Sequence, residues 1–350
     1  MAHIADRYHR QTLLPEIQAA GQMRLSQAQV LLIGCGALGC NIAQQLVRGG
    51  VGRLRLVDRD LVDLTNLQRQ VLFTEEDARE QTPKAIAAAK WLTQVNSTVT
   101  IEPVVADVHS GNVQEIASER GFRPTVILDG TDNAGTRYLV NDLAVREGIP
   151  WIYGACVGVE GRVMGVVPGQ TPCLRCIYPE PPGPGEVATC DTAGVLGAAA
   201  AVVGALQAAV AIRLIVSGEV PEGLLALDVW LMRFRAIGTA IARREDCICC
   251  GKREYEFLNR PMRLDAESLC GRNAVQIRPA SKEEAQVDLR ALATRLTSSG
   301  VVHAHEVFLR FEPAEQKDLA LSVFWDGRVI VSGTDDLAVA RMMVAKYVGH

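Results

Sequence analysis

The chain has 350 residues, 48% of them hydrophobic, enough to build the cores of about two domains. Its 36 basic and 40 acidic side chains leave a formal charge of −4, so the charge balance gives no footprint for nucleic acid or an anionic membrane surface. The amino terminus, MAHIADRYHRQTLLPE, lacks the apolar core of a secretory signal; a cytoplasmic location is expected, and the ten cysteines read as thiolates for metal or chemistry rather than as a disulfide framework.

Residues 29–34 (QVLLIG) read as a buried parallel strand. The loop Gly34-Cys-Gly36-Ala37-Leu-Gly39 follows, Cys40–Arg48 continues as a helix, and Arg53–Val57 forms a second strand. In such a βαβ unit the glycine loop brings a phosphate to a helix amino terminus, and Asp58 stands where a ribose-binding acid is expected. An NAD-dependent dehydrogenase would show the same loop and the same acid.

Asp58-Arg-Asp60 leads into Asn66-Leu-Gln-Arg69-Gln70 and then Thr82-Pro83-Lys84, whose proline opens a helix running to Leu92. Two cations and an amide just beyond the second strand suit a triphosphate, whose charge is met by Arg, Lys and metal. Further strands are expected at Val99–Val105 and Val126–Leu128. The second ends in Asp129-Gly-Thr-Asp132-Asn133, and Asp132 is a candidate Mg2+ ligand at a strand's carboxyl end.

A helix near Arg137–Glu147 precedes strands at Trp151–Gly154 and Gly161–Val167, then the pair Cys173-Leu-Arg-Cys176. Residues 179–185 (PEPPGPG) exclude regular structure and read as a mobile crossover loop. The apolar run Ala193–Ile212, interrupted by Gln207, suits a buried helix or a dimer seam better than a membrane span. Leu224–Asp228 is a further strand, and Cys247-Ile-Cys-Cys250 closes a first domain near residue 257. Because each short turn aims two thiolates at one metal, Cys173, Cys176, Cys247 and Cys250 are expected to form one tetrahedral zinc site, with Cys249 a spare thiol. Cys35, Cys40 and Cys156 read as packing residues. Cys190, placed before a helix, suits an activated nucleophile as well as a small buried residue.

Residues 258–350 read as a small α+β domain: strand Ala274–Ile277, helix Glu283–Leu296, strand Val307–Phe311, a hairpin pivoting on Asp326-Gly327 and a final helix Asp335–Tyr347. His303 and His305 alternate without a third ligand and read as surface residues, while Cys270 is a candidate sulfur relay.

In this order, Arg7-Tyr-His-Arg10-Gln-Thr-Leu-Leu-Pro, the glycine loop, Asp58-Arg-Asp60, Asn66-Leu-Gln-Arg69-Gln70, Pro83-Lys84, Asp132-Asn133 and both cysteine pairs resemble the ThiF/MoeB family, bacterial relatives of the ubiquitin-activating enzymes. The resemblance covers residues 5 to about 252. It implies an α/β fold, with a Rossmann-like ATP-binding domain on a mostly parallel sheet, stapled by zinc, over 1–257. It also implies adenylation of the carboxyl-terminal Gly-Gly of a small ubiquitin-like sulfur-carrier protein. Gly34, Gly36, Ala37 and Gly39 would cradle ATP, and Asp58 with Asp60 would serve the ribose side. Asn66, Arg69, Gln70 and Lys84 would meet the phosphates, while Asp132 binds Mg2+ with Asn133 beside it. Arg10 would reach a neighbour's ATP across a homodimer, and Cys190 matches a cysteine that in some relatives links covalently to the carrier. Ala37 replaces a glycine frequent in relatives. Activation of a non-carrier carboxylate, or ATP binding without turnover, are the alternatives.

Overall fold

Strand β1 (Gln29–Ile33) is buried almost throughout, as its run of Val, Leu and Ile requires of a strand covered on both faces. It lies near the middle of an eight-stranded sheet of order β3-β2-β1-β4-β5-β6-β7-β8. The other strands are β2 (Arg53–Asp58), β3 (Thr100–Val105), β4 (Val126–Asp129), β5 (Trp151–Val157), β6 (Glu160–Val166), β7 (Leu224–Asp228) and β8 (Arg233–Ile237). β3, β2, β1, β4 and β5 run parallel, whereas β6, β7 and β8 are added antiparallel. The computed structural model describes residues 7–183, 190–239, 243–260, 267–269, 273–279, 287–305, 307–316 and 318–349. Chain contacts divide it into two units, Met1–Pro261 and Met262–His350.

Five helices matter in the first unit: α1 (Gln18–Gln27), α2 (Ala37–Gly49), α3 (Lys84–Val95), α4 (Ala134–Glu147) and α5 (Gly197–Ser217). α2 ends at Gly50 and α4 at Gly148, both left-handed, where a side chain would be strained. The side chain of Asn133 caps α4 by accepting from Thr136 N–H at 3.0 Å, so this helix begins three residues before the expected Arg137. α5 packs against α2 and across β5 and β6. Gly204 permits the approach: a Cβ there would lie 2.9 Å from the Leu38 carbonyl oxygen. Among the described residues α5 is the one helix long and apolar enough to cross a membrane, and its fully buried Gln207 faces the sheet.

The second unit is an antiparallel sheet of order β11-β12-β13-β14-β10-β9. Its strands are β9 (Glu267–Leu269), β10 (Ala274–Ile277), β11 (Gly300–Ala304), β12 (Phe308–Pro313), β13 (Ala320–Phe324) and β14 (Val329–Ser332). Helices α6 (Leu289–Leu296) and α7 (Leu337–Tyr347) share a core with this sheet that includes Leu292, Phe311, Val323, Val331 and Met343. α6 starts later than its expected onset at Glu283 because Asp288 caps it, and residues 280–286 lie outside the described residues. β8, β9 and β11 have no counterpart in the sequence reading. His303 sits on β11 with His305 just beyond; both are exposed, and His305 stacks on Phe308 at 4.4 Å between ring centroids. Cys270 lies outside the described residues.

Candidate active site

The glycine loop joins β1 to α2, and its three glycines do different work. Gly34 has φ +92°, and a Cβ there would sit 2.7 Å from the Gly130 carbonyl. On Gly39 a Cβ would lie 2.0 Å from the Gly34 oxygen. These two are therefore required by the protein's own packing of β1, α2 and the turn after β4. Gly36 is not: a Cβ there would meet nothing nearer than 3.9 Å. Bare backbone facing open space at the amino terminus of α2 is the arrangement that admits a phosphate.

Asp58 ends β2, and its oxygens accept from the Cys35 N–H at 2.6 Å and the Asp60 N–H at 2.7 Å. This carboxylate thus ties the loop to the second strand. Burial pushes the Asp58 carboxyl up, and the Lys84 cation pulls against that shift. Lys84, at the start of α3, is 2% exposed and lies 3.0 Å from Asp60. Asn66 is buried, and its side-chain oxygen accepts from the Asp63 N–H at 3.1 Å in a capping box. Arg69 donates to the Thr65 carbonyl at 2.9 Å and is half-buried. Gln70 is buried with its amide nitrogen on the open side of Gly36, and its Oε1 has no hydrogen-bond partner among the described residues. An orphaned buried acceptor beside bare backbone fits a bound polar ligand.

On the other side of the loop the turn after β4 presents Asp132, exposed, and Asn133, used as the cap of α4. The turn is held by a residue the sequence reading did not single out. Arg137 donates to the buried Asp129 carboxylate at 3.0 Å and to the Thr131 carbonyl at 2.6 Å. Gln207 is the second omission: from α5 it donates to the Asp129 carbonyl at 2.7 Å. Its signal was visible as the one amide in an apolar helix. So Gly34, Gly36, Ala37, Gly39, Asp58, Asp60, Asn66, Arg69, Gln70 and Lys84 gather around the loop and the strand end beside it, with Asp132 and Asn133 on the turn that packs against the loop.

Arg10 is elsewhere. It is exposed on the short helix His9–Thr12, and the next residue, Gln11, donates to the Gly49 carbonyl at 3.0 Å. That is the far end of α2 from the phosphate loop, about 18 Å away by the rise of a helix of this length. Cys190 opens the one-turn helix Cys190–Ala193, and its side chain lies outside the described residues.

The two cysteine pairs come together. Sulfur separations are 3.9 Å for Cys173–Cys176, 3.6 Å for Cys173–Cys247 and 3.3 Å for Cys176–Cys250, and all four lie within 4.8 Å of one another. Four thiolates around zinc at bonds of about 2.3 Å would stand about 3.8 Å apart, so the set fits the metal. Cys249 is outside it, buried and accepting from the Asn141 amide at 3.2 Å. Between the first pair, buried Arg175 donates to the Pro179 carbonyl at 3.1 Å and to Glu256 at 2.6 Å, binding the start of the Pro/Gly loop to the chain beyond the second pair.

Residues 8–249 match the ThiF family. The chain belongs to the ThiF family. Within it, the chain is 40% identical over 343 residues to the sulfur carrier protein ThiS adenylyltransferase of Bacillus subtilis, covering 98% of this chain and 99% of that protein. It is 41% identical over 274 residues to the sulfur carrier protein adenylyltransferase of Thermus thermophilus, covering 76% of this chain and 96% of the relative. The first alignment therefore runs through the second unit of this ThiF-family protein, where the second cannot. Among solved structures, Escherichia coli MccB with MccA-N7isoASN superposes with a TM-score of 0.61 at 21% identity, over 71% of this chain and 74% of MccB, a likeness of fold.

Proposed function

We propose that this ThiF-family chain is an adenylyltransferase that uses ATP and Mg2+ to activate the carboxyl-terminal Gly-Gly of a ubiquitin-like sulfur carrier, in thiamine or molybdopterin synthesis or a related sulfur-transfer pathway. The observation that carries this reading is the 40% identity to a ThiS adenylyltransferase over 98% of the chain. The site's geometry supports it chemically. The backbone from Gly36 to Gly39 would cradle phosphates, and Asp58 has lone pairs left for a ribose hydroxyl after its two amide bonds. Lys84, Arg69 and Asn66 would meet the charge that builds on a departing pyrophosphate, and the exposed Asp132 would hold Mg2+.

In the reaction a carboxylate oxygen of the carrier attacks the α-phosphorus, and the bond to the bridging oxygen breaks. Pyrophosphate leaves with the electron pair, giving an acyl-adenylate. No proton moves, so the protein's contribution is alignment and stabilisation of charge on the leaving group. Arg10, a helix length from its own loop, would complete the site of a second copy in a homodimer. The four thiolates would hold zinc as a structural clamp, since no open position remains for chemistry.

β8 supplies a docking edge for the carrier. Among the described residues it pairs on one side alone, with β7, and it exposes Phe234 and Ile237 beside Trp230 and Met232. An unpaired strand edge of mixed apolar and basic character suits addition of a small β-rich protein. The test is ATP–pyrophosphate exchange with a ThiS-type carrier. Exchange should require both the carrier and its terminal glycine, and exchange indifferent to either would sink the reading.

A further inference from the structure

The turn after β4 that carries Asp132 is shaped in part by a side chain from α5. The parallel ladder between β4 and β5 ends where Leu128 pairs with Ile152. Just past that pair Gln207 supplies a donor, its Nε2 lying 2.7 Å from the Asp129 carbonyl oxygen and 3.5 Å from that of Ile152. On the other side of the same peptide unit, the Gly130 N–H donates to the Ile33 carbonyl at 2.8 Å. The peptide that leaves β4 is therefore held at its oxygen by α5 and at its nitrogen by β1. The Asp129 carboxylate holds the next one, accepting from the Thr131 N–H at 2.9 Å. Arg137 holds the Thr131 carbonyl, and Asp132 follows directly.

Packing alone does not call for an amide here. Gln207 is fully buried in an otherwise apolar stretch of α5, and its Oε1 has no hydrogen-bond partner among the described residues. An apolar side chain of similar length would avoid the cost of that orphaned acceptor. β5 makes room for the amide with a glycine, since a Cβ on Gly154 would sit 2.2 Å from it. The same helix is seated against two further walls of the nucleotide site. A Cβ on Gly197 would lie 2.8 Å from the Gln68 carbonyl oxygen, in the segment that carries Asn66, Arg69 and Gln70, and Gly204 abuts the first turn of α2. Gly197, Gly204 and Gln207 recur at the spacing of one helix face.

We propose that Gln207 is a positioning residue of the adenylation site: by clamping the peptide that leaves β4, it presets the Asp132 carboxylate for the Mg2+ that arrives with ATP. The proposal rests on the adenylation reading above, which gives Asp132 to Mg2+. With the amide gone, the Asp129 carbonyl loses its donor, and the turn must be ordered at the moment of binding.

The test compares Gln207→Met with the wild type, both full-length. Without any ligand, hydrogen exchange in peptides covering 129–133 should quicken about fivefold, the loss of one net hydrogen bond. Titration with ATP should give the wild-type affinity without Mg2+, and the gain in affinity on adding Mg2+ should shrink about fivefold. Carrier-dependent pyrophosphate exchange should need correspondingly more Mg2+, with the KM for carrier and the melting temperature held. Val203→Ala, one turn away on α5 and fully buried, is the control: it should lower the melting temperature and leave the Mg2+ dependence unchanged. A Gln207→Met protein with wild-type Mg2+ dependence and wild-type exchange at the turn overturns the positioning role while leaving adenylation standing. So does a Val203→Ala protein whose Mg2+ dependence moves equally, since the effect is then one of packing. An unliganded wild-type protein whose 129–133 amides exchange freely overturns it without recourse to any variant. A wild-type protein without carrier-dependent exchange overturns the adenylation reading and the proposal with it.

Discussion

Lys84 Nζ lies 3.0 Å from Asp60 Oδ2 although the lysine is 2% exposed, so the cation that the proposed site would offer to phosphate is held against a carboxylate. Removing either charge weakens the balance around the other, which keeps Asp58 beside Lys84 or Arg59, 3.9 Å away, beside Asp60. Lys84→Met should lower kcat/KM by about a hundredfold or more, as loss of a preorganised donor to a leaving group does. Asp60→Asn should cost about 3 kcal/mol of stability, the scale of breaking a buried pair. Pyrophosphate exchange and urea denaturation measure the two effects, and an Asp60→Asn protein of wild-type stability would contradict the account.

The glycine loop separates folding from binding. Gly39→Ala puts a Cβ 2.0 Å from the Gly34 oxygen, so it should fail to fold or melt far below the wild type. Gly36→Ala meets nothing nearer than 3.9 Å and should melt normally yet bind ATP at least tenfold more weakly, because its methyl group occupies the phosphate's place. Thermal scans and ATP titration of the purified variants distinguish these outcomes.

The cysteine cluster predicts one zinc per chain. Metal analysis should find it lost in Cys173→Ser or Cys247→Ser, with a large drop in melting temperature, and retained in Cys249→Ala. That last variant strips the Asn141 amide of its sulfur acceptor and should cost about 1 kcal/mol. Zinc lost from Cys249→Ala would mean that the ligand set is wrong.

Arg10 predicts complementation between subunits. Arg10→Ala and Asp132→Ala should each be inactive alone. Co-expressed, they should recover about a quarter of wild-type exchange, since about half of the dimers are mixed and each carries one complete site. No recovery would place Arg10 outside the neighbour's site.

Periodicity and glycine spacing made the first βαβ unit legible, because β1 and α2 are core elements whose burial and side-chain pattern coincide. The edge strand β8 has no counterpart in the sequence reading for the opposite reason: Arg233–Ile237 is exposed at every residue, so its short polar and apolar alternation marks no buried face. Cysteine spacing brought Cys173, Cys176, Cys247 and Cys250 to one point across 74 residues, and it also left Cys249 ambiguous until Asn141 was seen to hold it. In the sequence Arg137 reads only as the start of a helix, since its partner Asp129 belongs to a strand and the turn between them is what joins the two. Gln70 carries an orphaned oxygen that no pattern in the chain announces.

Cys173 and Cys247 are 74 positions apart, and the segment between them contains the Pro/Gly loop, α5 and the β7–β8 edge. A metal joining them therefore makes a lasso of the half of this unit that would handle the protein substrate, while the nucleotide half, from β1 to β4, lies outside it. Closing a ring of that size removes about 4 kcal/mol of chain entropy from the unfolded state. Because α5 lies inside that ring and its Gln207 donates to the Asp129 carbonyl beside the phosphate loop, chelation would loosen the docking edge and the nucleotide turn together.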